Sequence, residues 1–515
     1  MTRVPWTVHR TAMRRRSFLG LVGGATAATI VGPYFMRKAH AEFGAFPSGA
    51  EAAMLPEAQR AKRVLEIFLY GGVSQWETLY FVRRFGSASD TMYAGQQYYT
   101  YATSNATMFN RCGAGTDPLA TVRNFATDAR GEQVEVGPFA DRLWQRTDVV
   151  DRMRVVVQKH TLEPHEAAVP QALTGRPVGQ PGAAGLGAHV QRARLDAKVT
   201  PDRASPHSYV FATGGISSDN VAAAAAAGMH PGAARPLLIK TDNVNGFTDL
   251  LQRSTVGTGR ATHDELVAAY SSQYGSRLTW PGKDRVRSAR TDDFEVAFNN
   301  TRRVDAIKAV LSADLFTNQP GTSCQEQANS NIPLVGMSAA AKLLTHPTEP
   351  ASYVCVSDIG LYEASGGGGY DTHTGNAQDT AVNFDNMLKS LLGIINAPGE
   401  MNPRKLNLDD TLIILNTEFG RTPGAQGTTG RNHHPYGYAT AFIGGPTVKG
   451  VAGAIGNDGK ATDFATPAQN RIAALLALGI WPFAQEGFAV SDVPGASGEL
   501  DAATTSMQLV LGRTA

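Results

Sequence analysis

Six residues of metal-ligating type stand just after short apolar runs in this chain: Glu77, Asp371, His373, Glu418, His433 and His434. Carboxylate oxygens and imidazole nitrogens in that mixture suit a divalent cation such as zinc, manganese or calcium. Such an ion neutralises a charged ester and activates or replaces a nucleophile. Each residue also has a plainer use: Glu77 and Glu418 can cap helices, and the histidines can be surface or hydrogen-bonded residues. Guanidinium forks recognise sulfate and phosphate oxygens two at a time. Arg421, close after Glu418, is a candidate for that task or for bracing its loop, whereas Arg176, after Thr174 and Gly175, reads as a brace at a helix end.

The case for a site rests on convergence, which the carrying elements decide. Val64 to Tyr70 reads as a buried strand, and Gly71, Gly72, Val73 and Ser74 after it form a tight exit loop with exposed backbone amides. Met153 to Val157 is a second strand, followed by a loop with His160 and His165 and a short helix ending near Leu173. Ala351 to Ser357 is another, and its exit leads through Gly366 to Gly369 into Asp371 and His373. Val382, Met387, Leu388, Leu391 and Leu392 recur at helical spacing, so a helix follows and ends near Pro398. Thr411 to Leu415 runs straight into Glu418, and Ala439 to Ile443 closes the series before the turn Gly444, Gly445 and Pro446. Strands alternating with helices predict an α/β fold, a doubly wound and mostly parallel sheet flanked by helices. In such sheets sites form beyond the carboxyl ends of the strands, where all six candidates fall. Between about 190 and 345 the sequence is polar, carries the alanine run Ala222 to Ala227 and shows no alternation, which predicts a large, mainly helical insertion.

The 515 residues suffice for one large α/β domain with insertions. A net charge of +2 gives no field for nucleic acid. Three cysteines, Cys112, Cys324 and Cys355, are too few for a disulfide framework or a cysteine-rich metal site, and Cys355 in its apolar run reads as a buried thiol. At the N-terminus Arg14, Arg15 and Arg16 precede Ser17, Phe18 and Leu19, a twin-arginine export pattern. No charge occurs from Ser17 to Met36, but glycine, alanine and threonine dilute the apolar residues, so cleavage after Ala39, His40 and Ala41 is expected rather than a stable span. Residues 1–41 are thus a signal and 42–515 the mature, periplasmic or otherwise exported chain. Its first partner is the twin-arginine export machinery, which carries folded cargo.

Several segments together resemble a known family: Phe68 to Ser74, His165 to Arg176, Tyr370 to His373, Thr417 to Pro423, His433 to Pro435, Gly444 with Gly445, and Val448 to Gly450. They resemble the exported family known as domain of unknown function 1501, which is similar in turn to sulfatases and alkaline phosphatases. The resemblance implies an alkaline-phosphatase-like fold and metal-dependent hydrolysis of a phosphate or sulfate ester. On it, Glu418 replaces a metal-binding aspartate, while Phe419 stands where a neighbouring ligand belongs. His373 resembles a substrate-side histidine, and His433 or His434 a late histidine before the Gly-Pro turn. The nucleophile's region holds His165, open to three roles: nucleophile or general base, metal ligand, or structural residue. At a helix N-terminus its neutral form is favoured. Ser74 and Thr78 are further hydroxyls after the first strand. The alternative function is a non-catalytic periplasmic binding or assembly protein that retains the fold and a pocket for an anionic ligand.

Overall fold

The computed structural model describes residues 43–86, 122–180, 183–197, 208–212, 216–228, 236–240, 260–278, 332–361, 369–427, 430–483 and 487–513. The export pattern at residues 1–41, and Cys112 and Cys324, lie outside the described residues.

Fourteen strands occur among the described residues, and eight of them build the main sheet. In spatial order these are β12 (Gly450–Ala452), β4 (Met153–Gln158), β11 (Tyr438–Gly444), β8 (Thr411–Asn416), β1 (Arg63–Leu69), β7 (Tyr353–Asp358), β5 (Ser208–Ala212) and β6 (Leu237–Lys240). Every neighbouring pair is parallel except the two made by β11, which runs against both β4 and β8. The sheet is therefore mixed but mostly parallel, and its central strands are buried almost throughout because helices cover both faces.

β1 shows how the two faces are filled. Leu65, Ile67 and Leu69 pack on one side, with Met337 and Leu343 of the helix Ile332–Leu344 and Phe384, Met387 and Leu391 of the helix Asn376–Ile394. Val64 and Phe68 pack on the other, with Val169 and Leu173 of the helix His165–Thr174, Ile472 and Leu475 of Pro467–Ala477, and Met507 of Glu499–Leu511. Glu66 breaks this apolar alternation, and Arg471 pairs with it at 2.6 Å while Tyr353 and Asn416 donate to it at 2.7 and 2.8 Å. A buried carboxylate is tolerated only when paired in this way. Cys355 is a buried free thiol on β7.

The described residues of the segment 190–345 are mainly but not wholly helical. They supply the helices Ile216–Ala226, Arg260–Leu278 and Ile332–Leu344, but they also supply β5 and β6, which extend the main sheet beyond β7. β5 is short and wholly buried, so no polar face marks it as a strand in the sequence. No helix among the described residues is long and apolar enough to cross a membrane.

Because β1, β4, β7 and β8 all run the same way, their C-terminal ends share one edge of the sheet. The reversed β11 begins at that same edge. Above it lies a hairpin of β9 (Gly420–Gln426) and β10 (Gly430–His434), antiparallel with His433 opposite Arg421.

Candidate metal centre

The chain leaving β1 makes the floor. Gly71 and Gly72 have φ of +114° and +88°, and a side chain on Gly71 would come within 2.2 Å of the Asp371 backbone nitrogen. On Gly72 it would strike the Phe419 ring at 2.5 Å. Only glycine combines these angles with so close an approach. The backbone amides of this loop point inward instead of being exposed: Gly71 N donates to Glu418 Oε1 at 2.8 Å, and Val73 N to Thr417 Oγ1 at 3.2 Å. The exit of β1 thereby holds the exit of β8.

Against that floor the side chains of His165, Asp371 and His433 meet, each offering a ligand atom within 4.8 Å of the others. His165 is the first residue of its helix. Its Nδ1 lies 2.8 Å from Glu418 Oε1, and Glu418 is fully buried. A carboxylate can only accept, so Nδ1 carries the proton and Nε2 is left with a lone pair. That Nε2 is buried without a hydrogen-bond partner among the described residues, 3.5 Å from Asp371 Oδ2, too far for a good hydrogen bond. His433 repeats the pattern: Nδ1 is 2.9 Å from the backbone oxygen of Glu163, and Nε2 is 3.4 Å from Asp371 Oδ1. So does His373, with Nδ1 2.7 Å from Gln426 Oε1 and Nε2 3.1 Å from Asp371 Oδ1. The Nε2 atoms of His373 and His433 are 3.0 Å apart.

Lone pairs facing one another and a carboxylate repel unless a cation lies between them. In the metal-free protein the proton takes that part. Burial alone would lower the His165 pKa, but the Asp371 and Glu418 carboxylates outweigh it and push it up to about 9. The neutral form expected from the helix N-terminus is thus overridden by two adjacent negative charges. Burial works against the Asp371 anion, yet His165, His433 and Arg421 hold its pKa far below the usual carboxylate range. Burial lowers His433, with Asp371 opposing.

The remaining candidates stand around this cluster without joining it. Glu418, read as a ligand, sits behind His165 and fixes its tautomer. Glu77 is enclosed by Arg431, whose Nε and Nη2 reach Oε1 at 2.9 and 2.6 Å; Asn376 donates to Oε1 at 3.1 Å and Ser74 to Oε2. His434, next to His433 on β10, points to the opposite side and its Nε2 meets Gly459 O at 2.7 Å. Arg421, read as a substrate residue, is fully buried with its guanidinium donating to the carbonyls of Gly71, Gly72, Tyr370 and Arg431 and, at 2.5 Å, to Asp371 Oδ1. It positions the aspartate. Ser74 and Thr78 are both buried, and Thr78 Oγ1 donates to Ser74 O at 2.7 Å.

Three contributors stand outside the candidate ligands read from the sequence. Phe419 stacks on His433 with ring centroids 4.4 Å apart and tilts against His165 at 5.0 Å, walling one side. His160 links the exits of β4 and β8 through Nε2 to Glu418 O at 2.5 Å. Gln426 holds His373 from the hairpin tip. Only His160 is traceable, as a histidine beyond a strand end in the same loop as His165.

All the residues of the cluster fall inside one long family match. No curated protein and no solved structure matches the chain. The match spans residues 61–474, and the chain therefore belongs to the family described as "Protein of unknown function (DUF1501)".

Proposed function

We propose that this protein holds one divalent transition-metal ion on His165, Asp371 and His433 and uses it to hydrolyse a phosphate or sulfate ester. The observation that carries the reading is the buried, unpartnered Nε2 of His165, aimed at Asp371 from an imidazole whose other nitrogen is anchored to Glu418. Metal-bound histidines are oriented by such outer hydrogen bonds. The spacings are compatible with it: His165 Nε2 lies 3.5 Å from Asp371 Oδ2 and His433 Nε2 lies 3.4 Å from Oδ1, each imidazole meeting its own carboxylate oxygen, against about 3.3 Å between donors that stand about 2.0–2.1 Å from a tetrahedral ion. A nitrogen-rich donor set suits zinc, manganese or ferrous iron, and not calcium, which takes six to eight oxygens.

A bound ion supplies a Lewis-acid charge that stabilises negative charge growing on the ester oxygens. The chain's own residues prepare that position. Glu418 keeps His165 in one tautomer, Arg421 holds Asp371 Oδ1, and Phe419 excludes water beside His433. Ser74 is committed to Glu77 and Thr78 to Ser74, which argues against either hydroxyl as nucleophile. An alkaline-phosphatase-like architecture belongs to the same reading, supported by a mostly parallel sheet with these residues at its carboxyl edge. So does export through the twin-arginine route, which would deliver the chain folded and loaded. The enclosure of Arg421 favours one alternative, a periplasmic binding or assembly protein that keeps the metal without turnover.

Metal analysis by mass spectrometry on protein from the exported fraction tests the reading. One equivalent is expected in the wild type and in His434→Gln, and none in His165→Ala or His433→Ala. Folded, metal-free wild type overturns it. Metal without turnover of aryl phosphate or aryl sulfate leaves the binding protein.

A further inference from the structure

We propose that His373 is the removable fourth donor of this centre, closing it at rest and turning aside to admit an anionic ester. The inference rests on the metal reading above and explains how a site enclosed by four protein donors can still take a substrate. Catalytic metal sites keep one exchangeable position, whereas structural ones are closed.

The geometry places the His373 Nε2 beside two of the three donors, 3.1 Å from Asp371 Oδ1 and 3.0 Å from His433 Nε2. Two imidazole nitrogens so close are spaced as two ligands of one ion. The three histidines differ, however, in what holds them. His165 is anchored by a fully buried carboxylate and His433 by a backbone carbonyl, whereas His373 is anchored by the neutral amide of Gln426, an exposed residue. Hydrogen bonds to charged groups are stronger than those between neutral ones, so His165 is the most firmly held. Exposure follows the same order: the side chains of His165, His433 and His373 are 14, 17 and 34% accessible. His373 is the ring held by an exposed side chain and the one with the most room to leave.

Its backbone, by contrast, is pinned. Arg431 N donates to Thr372 O at 2.9 Å, and Gly430 lies so close that an added Cβ would stand 1.7 Å from His373 O. Release is therefore a rotation of the side chain, without opening of the loop. Phosphate or sulfate oxygens, which are hard anionic donors, take the vacated position. The substrate edge of the centre is then the His373–Gln426 side, facing solvent.

Cobalt substitution tests this, because the visible spectrum of Co(II) separates four-coordinate from five- and six-coordinate ions. The full mature chain is loaded with Co(II) and titrated with inorganic phosphate, beside His373→Ala and Gln426→Ala. His373→Ala is expected to keep one Co(II) per chain at roughly 10–100-fold lower affinity, with a spectrum already shifted towards that of phosphate-saturated wild type. Gln426→Ala is expected to keep the wild-type spectrum and bind phosphate several-fold more tightly. If His373→Ala loses the ion as His433→Ala does, or keeps the wild-type spectrum, the inference falls while the metal reading stands. If phosphate leaves the wild-type spectrum unchanged, the exchange is refuted. Wild type that takes up no Co(II) overturns the metal reading and this inference with it.

Discussion

Glu77 and Asp371 are both buried carboxylates, and each meets an arginine from the same hairpin, Arg431 on β10 and Arg421 on β9. Around Glu77 every neighbour is a donor: Arg431, Asn376 and Ser74 all give hydrogens to it, and the charge is closed off. Around Asp371 one side is closed by Arg421, while the other faces the Nε2 atoms of three imidazoles, each anchored elsewhere through Nδ1. A buried carboxylate alone therefore does not make a cation site. Surplus lone pairs do.

The strongest way to break this comparison is Glu77→Gln. It leaves the Arg431 guanidinium, fully buried, without a counter-charge, and losing one partner of such a pair costs about 3–5 kcal/mol. Denaturant titration should show that loss, with metal content per folded molecule unchanged. A loss under about 1 kcal/mol, or a drop in bound metal, would erase the distinction between the two carboxylates.

A third carboxylate sharpens it. Asp358 is fully buried at the end of β7 and accepts from Gly360 N at 2.8 Å and Tyr370 Oη at 3.3 Å, with neither guanidinium nor imidazole bonded to it among the described residues. Burial pushes its pKa up to about 7, and the two hydrogen bonds offset only part of that. The folded state thus keeps a proton that the unfolded chain, near 3.9, releases. This contribution is full below about pH 4 and is lost as pH rises through 7, up to about 4 kcal/mol in all. Asp358→Asn should flatten that slope in thermal melts and raise stability at pH 8. A steeper slope in the variant would contradict the assignment.

Gly430→Ala attacks the join between hairpin and site. Its methyl has no room beside the His373 carbonyl, so the two strands of chain must part, at about 1–3 kcal/mol. Calorimetry should show the loss together with weaker metal binding; unchanged metal affinity would mean that the cluster does not depend on the hairpin's position. The smallest effect is expected of His434→Gln. One hydrogen bond to Gly459 is lost, about 1 kcal/mol, and metal uptake stays at the wild-type level. Loss of the metal there would exchange the roles of the two adjacent histidines.

How far all this could be read from the chain itself differs residue by residue. The runs at Val64, Met153, Ala351, Thr411 and Ala439 announce their strands because each is mostly apolar and ends at a turn, and the edge where sites form follows from the common direction of the first four. β5 and β6 are missed because strands this short leave neither alternation nor length to recognise. Asp371, His373 and His433 are found as residues beyond strand ends. Glu77, Glu418, His434 and Arg421 fit that same description, and what removes them from the cluster is their partner in space. Arg431, which closes Glu77, is far from it in sequence, and which face His434 takes is set by the pairing of β10 with β9. The placement of His165 beside Asp371 depends on how the helix His165–Thr174 packs, and its spacing from Thr174 says nothing of that.

Among the described residues, β11 is the only strand of the main sheet to run backwards, and that reversal governs what a change in chain length would do. A parallel return to the edge would need a crossover of a dozen or more residues; the antiparallel one lets the chain go directly from Glu418 through the hairpin and into the sheet again at Tyr438. The anchor Glu418, the braces Arg421 and Arg431, and the donor His433 are consequently laid down on one continuous ribbon. Since neighbouring strand residues face opposite ways, insertion or deletion of a single residue in β10 would turn His433 outward and His434 inward while displacing Arg431 from Glu77. A change of length along the arms of this ribbon thus costs the site its donor and its brace together.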